Sequence, residues 1–423
     1  MQWVGTFNRK SEKNWDFNLV LYFLNVFLVV YGYGLRGDDF QATKILRTIL
    51  VVISLGSLLL TRDFYKYKFD SYKNRVLWVF IALNLIVVPF GVDVMRSFER
   101  IAAWLPFLIY TNFFVVYLFS NYPKQDALIK LLQIFSLAYF YPVAIMLLNG
   151  VSFQSENIYG QNIGAYKANV LGWACVVFLL SSFDVFNNTN TKKWLQYLFY
   201  ILSAVTLWGI VLTGSRSSYL ALAAASTVLV LRSKSISPIF KILILIIICG
   251  LAYYIFTSPD SVVNLRAKYA IIRQQRGEIR VQLASRAFTA LWEYPGVMFT
   301  GFGFDNFRAG LAYYAGIKTD LASHNSYLEV LFSSGLLTFL FFILFFVINS
   351  LLKFIKFDSK EFIFLPAILV IPYFESNLNA GQFLFFPWMT FLFYYIHVGS
   401  LQVPITNTAE REQYEKAPNY INN

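Results

Sequence analysis

The chain has 423 residues, of which 57% are hydrophobic, 19% aromatic and only 14% charged, with a mean hydropathy of +0.55. A soluble domain rarely exceeds about half apolar residues, so this composition argues against a water-soluble fold and for residence in a bilayer. The net charge of +12 lies in short loops between apolar runs and in one long loop, which argues against nucleic-acid binding. The two cysteines, Cys175 and Cys249, stand inside apolar runs and read as small buried residues rather than as a disulfide or metal site.

The start, Met1 to Asp16, is polar, and no small-residue cleavage site follows the first apolar run. Residues 17–35 therefore read as a retained span, not a signal peptide. Further runs long enough to cross the hydrocarbon core as helices lie near 44–61, 74–92, 98–119, 127–149, 166–184, 194–212, 217–231, 237–257, 325–352, 361–375 and 381–397. The expected fold is thus an all-α membrane protein of about twelve transmembrane helices, one domain over 1–423 without a sequence repeat. With the N-terminus inside, the even-numbered connections carry Arg62, Lys66, Lys68, Lys73 and Arg75, then Lys124 and Lys130, Lys192 and Lys193, Arg232, Lys234 and Lys241, and Lys353, Lys356 and Lys360. That positive-inside bias makes both termini cytoplasmic, with 404–423 a loose tail.

The connection 258–324 falls on the outer side yet carries eight bases and five acids. Long loops translocate regardless of charge, so topology leaves this cluster unexplained. Residues 262–292 read as a helix ending before Pro295, on which Arg266, Arg273 and Arg280 recur every seven residues with Arg276 nearly in line. Such a stripe suits lipid headgroups or the phosphates of a lipid-linked substrate; a solvated helix face is the alternative. Arg216, in Thr213-Gly214-Ser215-Arg216-Ser217-Ser218-Tyr219, stands between two apolar runs at the outer boundary. Its planar fork suits bidentate phosphate contact, against snorkelling or pairing with Glu375.

His324 is one of two histidines and stands where the long loop enters the next span. If Ser323 caps that helix, His324 lies in its first turn, where the macrodipole favours the neutral ring that a general base needs. A lone histidine is more often structural than catalytic, and His397, near the inner end of the last span, reads as structural. There is no Walker loop, no metal-ligand spacing and no Asp-x-Asp pair, so neither ATP, a metal nor another cofactor is expected. Gly301-Phe302-Gly303-Phe304 is a tight aromatic turn, too weak alone for a dinucleotide site.

The series Leu212-Thr213-Gly214-Ser215-Arg216, then Ala284-Ser285-Arg286 followed by Gly301-Phe302-Gly303, then Ser323-His324-Asn325-Ser326-Tyr327-Leu328 with Gly335 downstream resembles the O-antigen ligase/polymerase superfamily. The likeness covers roughly 160–350, including the stretch 159–172 with Asn162 and Asn169. It implies a GT-C glycosyltransferase that draws glycan from an undecaprenyl-pyrophosphate carrier in the bacterial cytoplasmic membrane, with its site facing outward. Carried over, Arg216 and Arg286 would hold the pyrophosphate, Arg280 and Arg276 would add phosphate contacts, and His324 would deprotonate the acceptor hydroxyl. Asp320, Glu329 and Glu375 could orient them.

Implied partners are the lipid-linked glycan, an acceptor glycolipid, the bilayer, and a chain-length regulator and flippase as candidate proteins. The Gly-Ser-Arg-Ser-Ser-Tyr and His-Asn-Ser-Tyr-Leu forms resemble polysaccharide polymerases more than O-antigen ligases, which pass finished glycan to lipid A core. A transporter of lipid-linked sugars is the rival from another class, but its charges would line a cavity between repeated halves. A structural envelope subunit, in which Arg216 and His324 would be replaceable, is the third reading.

Overall fold

In a computed structural model the chain is helical throughout the described residues, which are 16–34, 38–61, 72–149, 168–188, 193–233, 237–258, 276–319, 323–356, 364–373 and 382–397. In order the helices are α1 (Phe17–Tyr33), α2 (Asp38–Leu60), α3 (Tyr72–Ile86), α4 (Val94–Asn121), α5 (Lys124–Asn149), α6 (Ala168–Asn188), α7 (Lys193–Thr213) and α8 (Arg216–Arg232). They continue as α9 (Pro238–Thr257), α10 (Arg276–Glu293), α11 (Pro295–Thr300), α12 (Phe307–Ala315), α13 (Ser326–Phe342), α14 (Asn349–Lys356), α15 (Phe364–Val370) and α16 (Phe385–His397). A π-helical stretch, Ile343–Ile348, joins α13 to α14, and a 3-10 turn, Ile371–Tyr373, extends α15. The apolar runs of the sequence all fall on helices. Among the described residues five stretches are long and apolar enough to cross a membrane: Ala42–Leu60, Val94–Asn121, Asp126–Leu148, Lys193–Thr213 and Ser326–Ile355.

Helix starts follow side-chain chemistry. Asp16 accepts from Leu19 N and Asp93 from Arg96 N, each at 3.0 Å, and Ser237 caps a helix that opens on Pro238. Asp16 also accepts from the hydroxyls of Tyr117 and Tyr122, both at 2.5 Å, tying the start of α1 to the end of α4. At the opposite end Tyr33 Oη donates to Gln382 Oε1 (3.4 Å), just before α16.

The interior is aromatic. Tyr22 stacks on Phe114 at 3.7 Å, and Phe80 meets Trp104, Phe342 and Phe346 at 5.8, 5.5 and 5.0 Å. Within lipid such contacts hold helices by close packing and hydrogen bonds rather than by exclusion of water. The outer surface of the bundle is equally apolar. Helix α9 exposes Ile239, Ile242, Leu243, Ile246 and Ile247, and α7 exposes Trp194 and Tyr197 near its start and Trp208 near its end. Contiguous apolar surface with aromatic ends suits a lipid-facing helix and would be a liability in water. His397, expected to be structural, is 2% exposed and donates from Nε2 to Asn112 Oδ1 (2.8 Å).

One feature departs from the sequence reading, and one reading falls partly outside the described residues. The run 325–352 reads as one span, but Gly335 breaks it at φ 76°, ψ 177°. The rings of Tyr327 and Phe342 then lie 6.5 Å apart, where a straight helix would separate those residues by about 22 Å. Residues 326–334 thus form a short arm folded back on the long helix that follows. The helix expected over 262–292 is seen as α10 from Arg276; residues 259–275, with Arg266 and Arg273, lie outside the described residues.

Helices α10, α11 and α12 are not a loose flap. Leu283, Ala287, Phe302, Phe307 and Leu311 form a second core with Phe332 of the short arm. The segment 301–306 clasps this module to the bundle. Phe302 N donates to Phe332 O (2.6 Å), Val92 N donates to Phe302 O (2.9 Å), and Asn306 Nδ2 donates to Asp93 O and Ser97 Oγ, both at 2.8 Å. Asp305 accepts ion pairs from Arg100 Nε (3.1 Å) and Arg96 Nη2 (3.6 Å). Gly303 (φ +98°) is needed because a Cβ there would lie 2.6 Å from Gly91 Cα. The aromatic turn of the sequence is therefore a backbone clasp, which explains its glycines without a nucleotide.

Candidate functional site

Arg216 opens α8, and its neighbours explain how it is presented. Ser215, Ser217 and Ser218 are 0%, 4% and 0% exposed, packed on α6. Trp173 Nε1 donates to Ser217 Oγ (2.7 Å), and Ser218 Oγ donates to Ser215 Oγ (2.9 Å). A Cβ on Gly172 would stand 2.5 Å from Ser218 Oγ, so α6 and α8 approach as closely as small residues allow. Tyr219 Oη donates back to Val211 O (2.8 Å), fixing the turn between α7 and α8. The hydroxyls do the packing, and Arg216, one helical step away from them, is exposed.

His324 is half-buried at the head of the short arm, at φ 50°. Among the described residues it and Asp305 (φ 57°) are the non-glycine residues with positive φ. Such strain persists only where the surroundings impose it, and it concentrates at functional sites. The cap differs from the expectation. Asn325, not Ser323, is the N-cap: its Oδ1 accepts from Tyr327 N and Leu328 N, each at 3.0 Å. The amide oxygen, on a longer side chain, reaches two backbone donors, while Ser323 Oγ turns to Asn325 O (3.4 Å). His324 therefore precedes the cap and is not in the first helical turn. Asn325→Ala should cost about 1 kcal/mol of stability through these two donors, read as a lowered melting temperature of the purified protein.

The arm is seated from three sides. Tyr327 Oη donates to Leu369 O of α15 (2.8 Å), and its ring meets Trp388 of α16 edge-on at 5.7 Å. Glu329, in the first turn, is 5% exposed. Helix α15 in turn packs along α8, and its 3-10 extension touches both α8 and α13. Arg216 and His324 thus stand on elements that share one neighbour.

Arg286 is exposed on α10, whose other face holds Leu283, Ala287 and Leu291 against the second core. It is bound to the His324 arm through that core, with Phe288 edge-on to Phe332 at 5.3 Å. Among the described residues no ion pair involves Arg216 or Arg286, and no hydrogen bond joins either to His324. Arg276 and Arg280 belong to α10, but their side chains are outside the described set, as are Asp320 and Glu375.

A largely apolar groove of about 530 Å³ lies between α10, α11 and the short arm, lined by Phe288, Leu291, Trp292, Met298, Leu331 and Leu336, with Thr289 and Glu293 as its polar members. On the same module Tyr314 lies between Tyr294 and Tyr313, at ring distances of 5.0 and 4.8 Å. Burial, with Tyr313 and Tyr294 close by, raises its phenol above the usual range, so it remains a hydrogen-bond donor at neutral pH. The arrangement offers two exposed guanidinium groups, an imidazole in a strained setting and an apolar trough.

Residues 201–343 match the family model described as O-Antigen ligase, a stretch that contains Arg216, Arg286 and His324. No curated protein matches the chain.

Proposed function

We infer that this chain, a member of the O-antigen ligase/polymerase superfamily by its residues 201–343, is a membrane glycosyltransferase of the GT-C type that draws on an undecaprenyl-pyrophosphate-linked glycan. The observation that carries this reading is that Arg216 and His324 stand on elements sharing α15 as a neighbour, with Arg286 on a module packed against the His324 arm. The acceptor sugar hydroxyl attacks the anomeric carbon, and His324 takes its proton. The bond from that carbon to the phosphate oxygen breaks, and Arg216 and Arg286 offset the charge gathering on the departing pyrophosphate. That leaving group supplies the driving force, so neither ATP nor a metal has a part in this scheme. The apolar groove on α10, the helix that carries Arg286, supports a donor with a hydrocarbon tail.

In this reading about twelve helices cross the bacterial cytoplasmic membrane, both termini are cytoplasmic, and the site faces outward. The favoured activity is polymerisation, with a second lipid-linked repeat unit as acceptor. The second reading is ligation of finished glycan to lipid A core, favoured by the family description. The test is a gel profile of surface polysaccharide from a deletion strain complemented with wild type or Arg216→Lys. Single repeat units in place of a ladder establish the polymerase, and bare lipid A core with polymer stranded on its carrier establishes the ligase. Lysine keeps the charge and loses the fork, so Arg216→Lys should lower product about ten- to a hundredfold. Lipid-linked glycan trapped on the inner face of the deletion strain overturns both in favour of transport.

A further inference from the structure

Arg47 lies in the first third of the membrane-length stretch Ala42–Leu60 of α2 and is 5% exposed. Around it α2 turns Ile45, Leu46, Ile49 and Val52 outward, with exposures of 63, 50, 51 and 56%, while Thr43, Arg47, Val51 and Ser54 form the buried stripe. That stripe faces α1 and α4. Among the described residues neither Nε nor Nη1 of Arg47 has a hydrogen-bond partner, although both atoms are buried. Two guanidinium nitrogens withdrawn from water without an anion are a costly arrangement in a membrane protein, and such residues mark functional positions by default.

Its level in the bundle can be read from its neighbours. A Cβ on Gly32 of α1 would touch Thr43 Oγ1 at 3.2 Å. The next residue, Tyr33, bonds Gln382 at 3.4 Å and meets the ring of Phe383 at 5.5 Å. Deeper contacts, Asn25 with Ser54 and Asn18 with Ser57, both at 2.9 Å, follow in register. One helical turn beyond Thr43, Arg47 stands close to the level at which α16 begins, the end of the bundle that also carries His324. Arg216 and Arg286 are exposed and can serve an anion in water; Arg47 can serve only one that is brought inside.

We propose that Arg47 is a phosphate-binding residue, holding a phosphate-class oxyanion of a lipid-linked substrate between α1, α2 and α4. The assignment of the ligand rests on the glycosyl-transfer reading, in which both donor and acceptor carry lipid phosphates. The buried arginine supplies a second anion site apart from the one that receives the leaving group.

The test compares melting of the full-length protein in nanodiscs, wild type against Arg47→Met and Arg47→Lys, with and without inorganic pyrophosphate or a C20 polyprenyl pyrophosphate. Without ligand, Arg47→Met should melt a few degrees above wild type, because an unpaired buried charge has been replaced by a side chain of similar length. With ligand, wild type should rise, Arg47→Lys should keep part of the shift, and Arg47→Met should lose at least half of it. A shift with the lipid form alone identifies a membrane-borne phosphate, and a shift with both identifies the phosphate group itself as sufficient; either supports the site. Arg47→Met that melts lower, or fails to fold, means that a carboxylate of this chain pairs with Arg47 and overturns the proposal, as does an equal ligand shift in all three proteins. Wild type that binds pyrophosphate without transferring glycan would sink the reaction while leaving the site standing.

Discussion

Alanine in place of His324 is expected to lower glycan transfer by about 10²- to 10⁴-fold, the range for loss of a positioned general base, without unfolding the protein. The side chain is only half-buried, and its truncation to Cβ removes no residue of either apolar core. The backbone sharpens the test. At φ 50° a glycine is more comfortable than histidine, so His324→Gly should melt above His324→Ala while being equally inactive. Stability rising while transfer collapses is the signature of a residue held under strain for its chemistry. Purified variants, a lipid-linked donor and a thermal melt supply both readings. Transfer by His324→Ala within a few-fold of wild type would remove the base from the scheme and return transport or a structural role to the front.

Much of the fold was legible because hydrocarbon-length apolar runs are a strong signal, and the described part of each expected run is largely helical. What escaped was local geometry. Gly335 stands in an apolar run, where one glycine reads as tolerated, and nothing nearby in sequence announces that Phe299 packs against it. The choice of Asn325 over Ser323 as cap turns on side-chain reach that spacing does not reveal. Arg216 and His324 were visible as unusual polar residues and Arg286 only through the family resemblance, and the serines beside Arg216 proved to be the close-packed face that presents it. The clasp at 301–306 had a signal, a Gly-x-Gly aromatic turn followed by Asp305 and Asn306, but its partners on α4 are two hundred residues distant. Arg47 was unremarkable because a lone arginine in an apolar run does not disclose which way it faces.

Gly335→Ala should be the most disruptive single-atom change available outside the catalytic groups. The backbone there, φ 76° and ψ 177°, belongs to a region that only glycine occupies readily. Strain of that kind costs about 1–3 kcal/mol by itself. The added Cβ would also stand 1.9 Å from Phe299 O and 2.3 Å from Phe299 C, backbone atoms that cannot swing aside as a side chain would. Relief requires α11 to lift away or the short arm to straighten. Either movement opens the core around Phe332 and loosens the seat of Tyr327 on Trp388 and Leu369, three residues from His324, so stability and transfer should fall together. Gly296→Ala, on the same α11 and with no atom within 4 Å of the new Cβ, is the matched control and should melt at or slightly above wild type. Size-exclusion profiles and melts of the two variants decide the matter. A Gly335→Ala protein that remains monodisperse and melts within a degree of wild type would mean that the arm is not held folded by this contact, and the bend could then not be what brings His324 to the site.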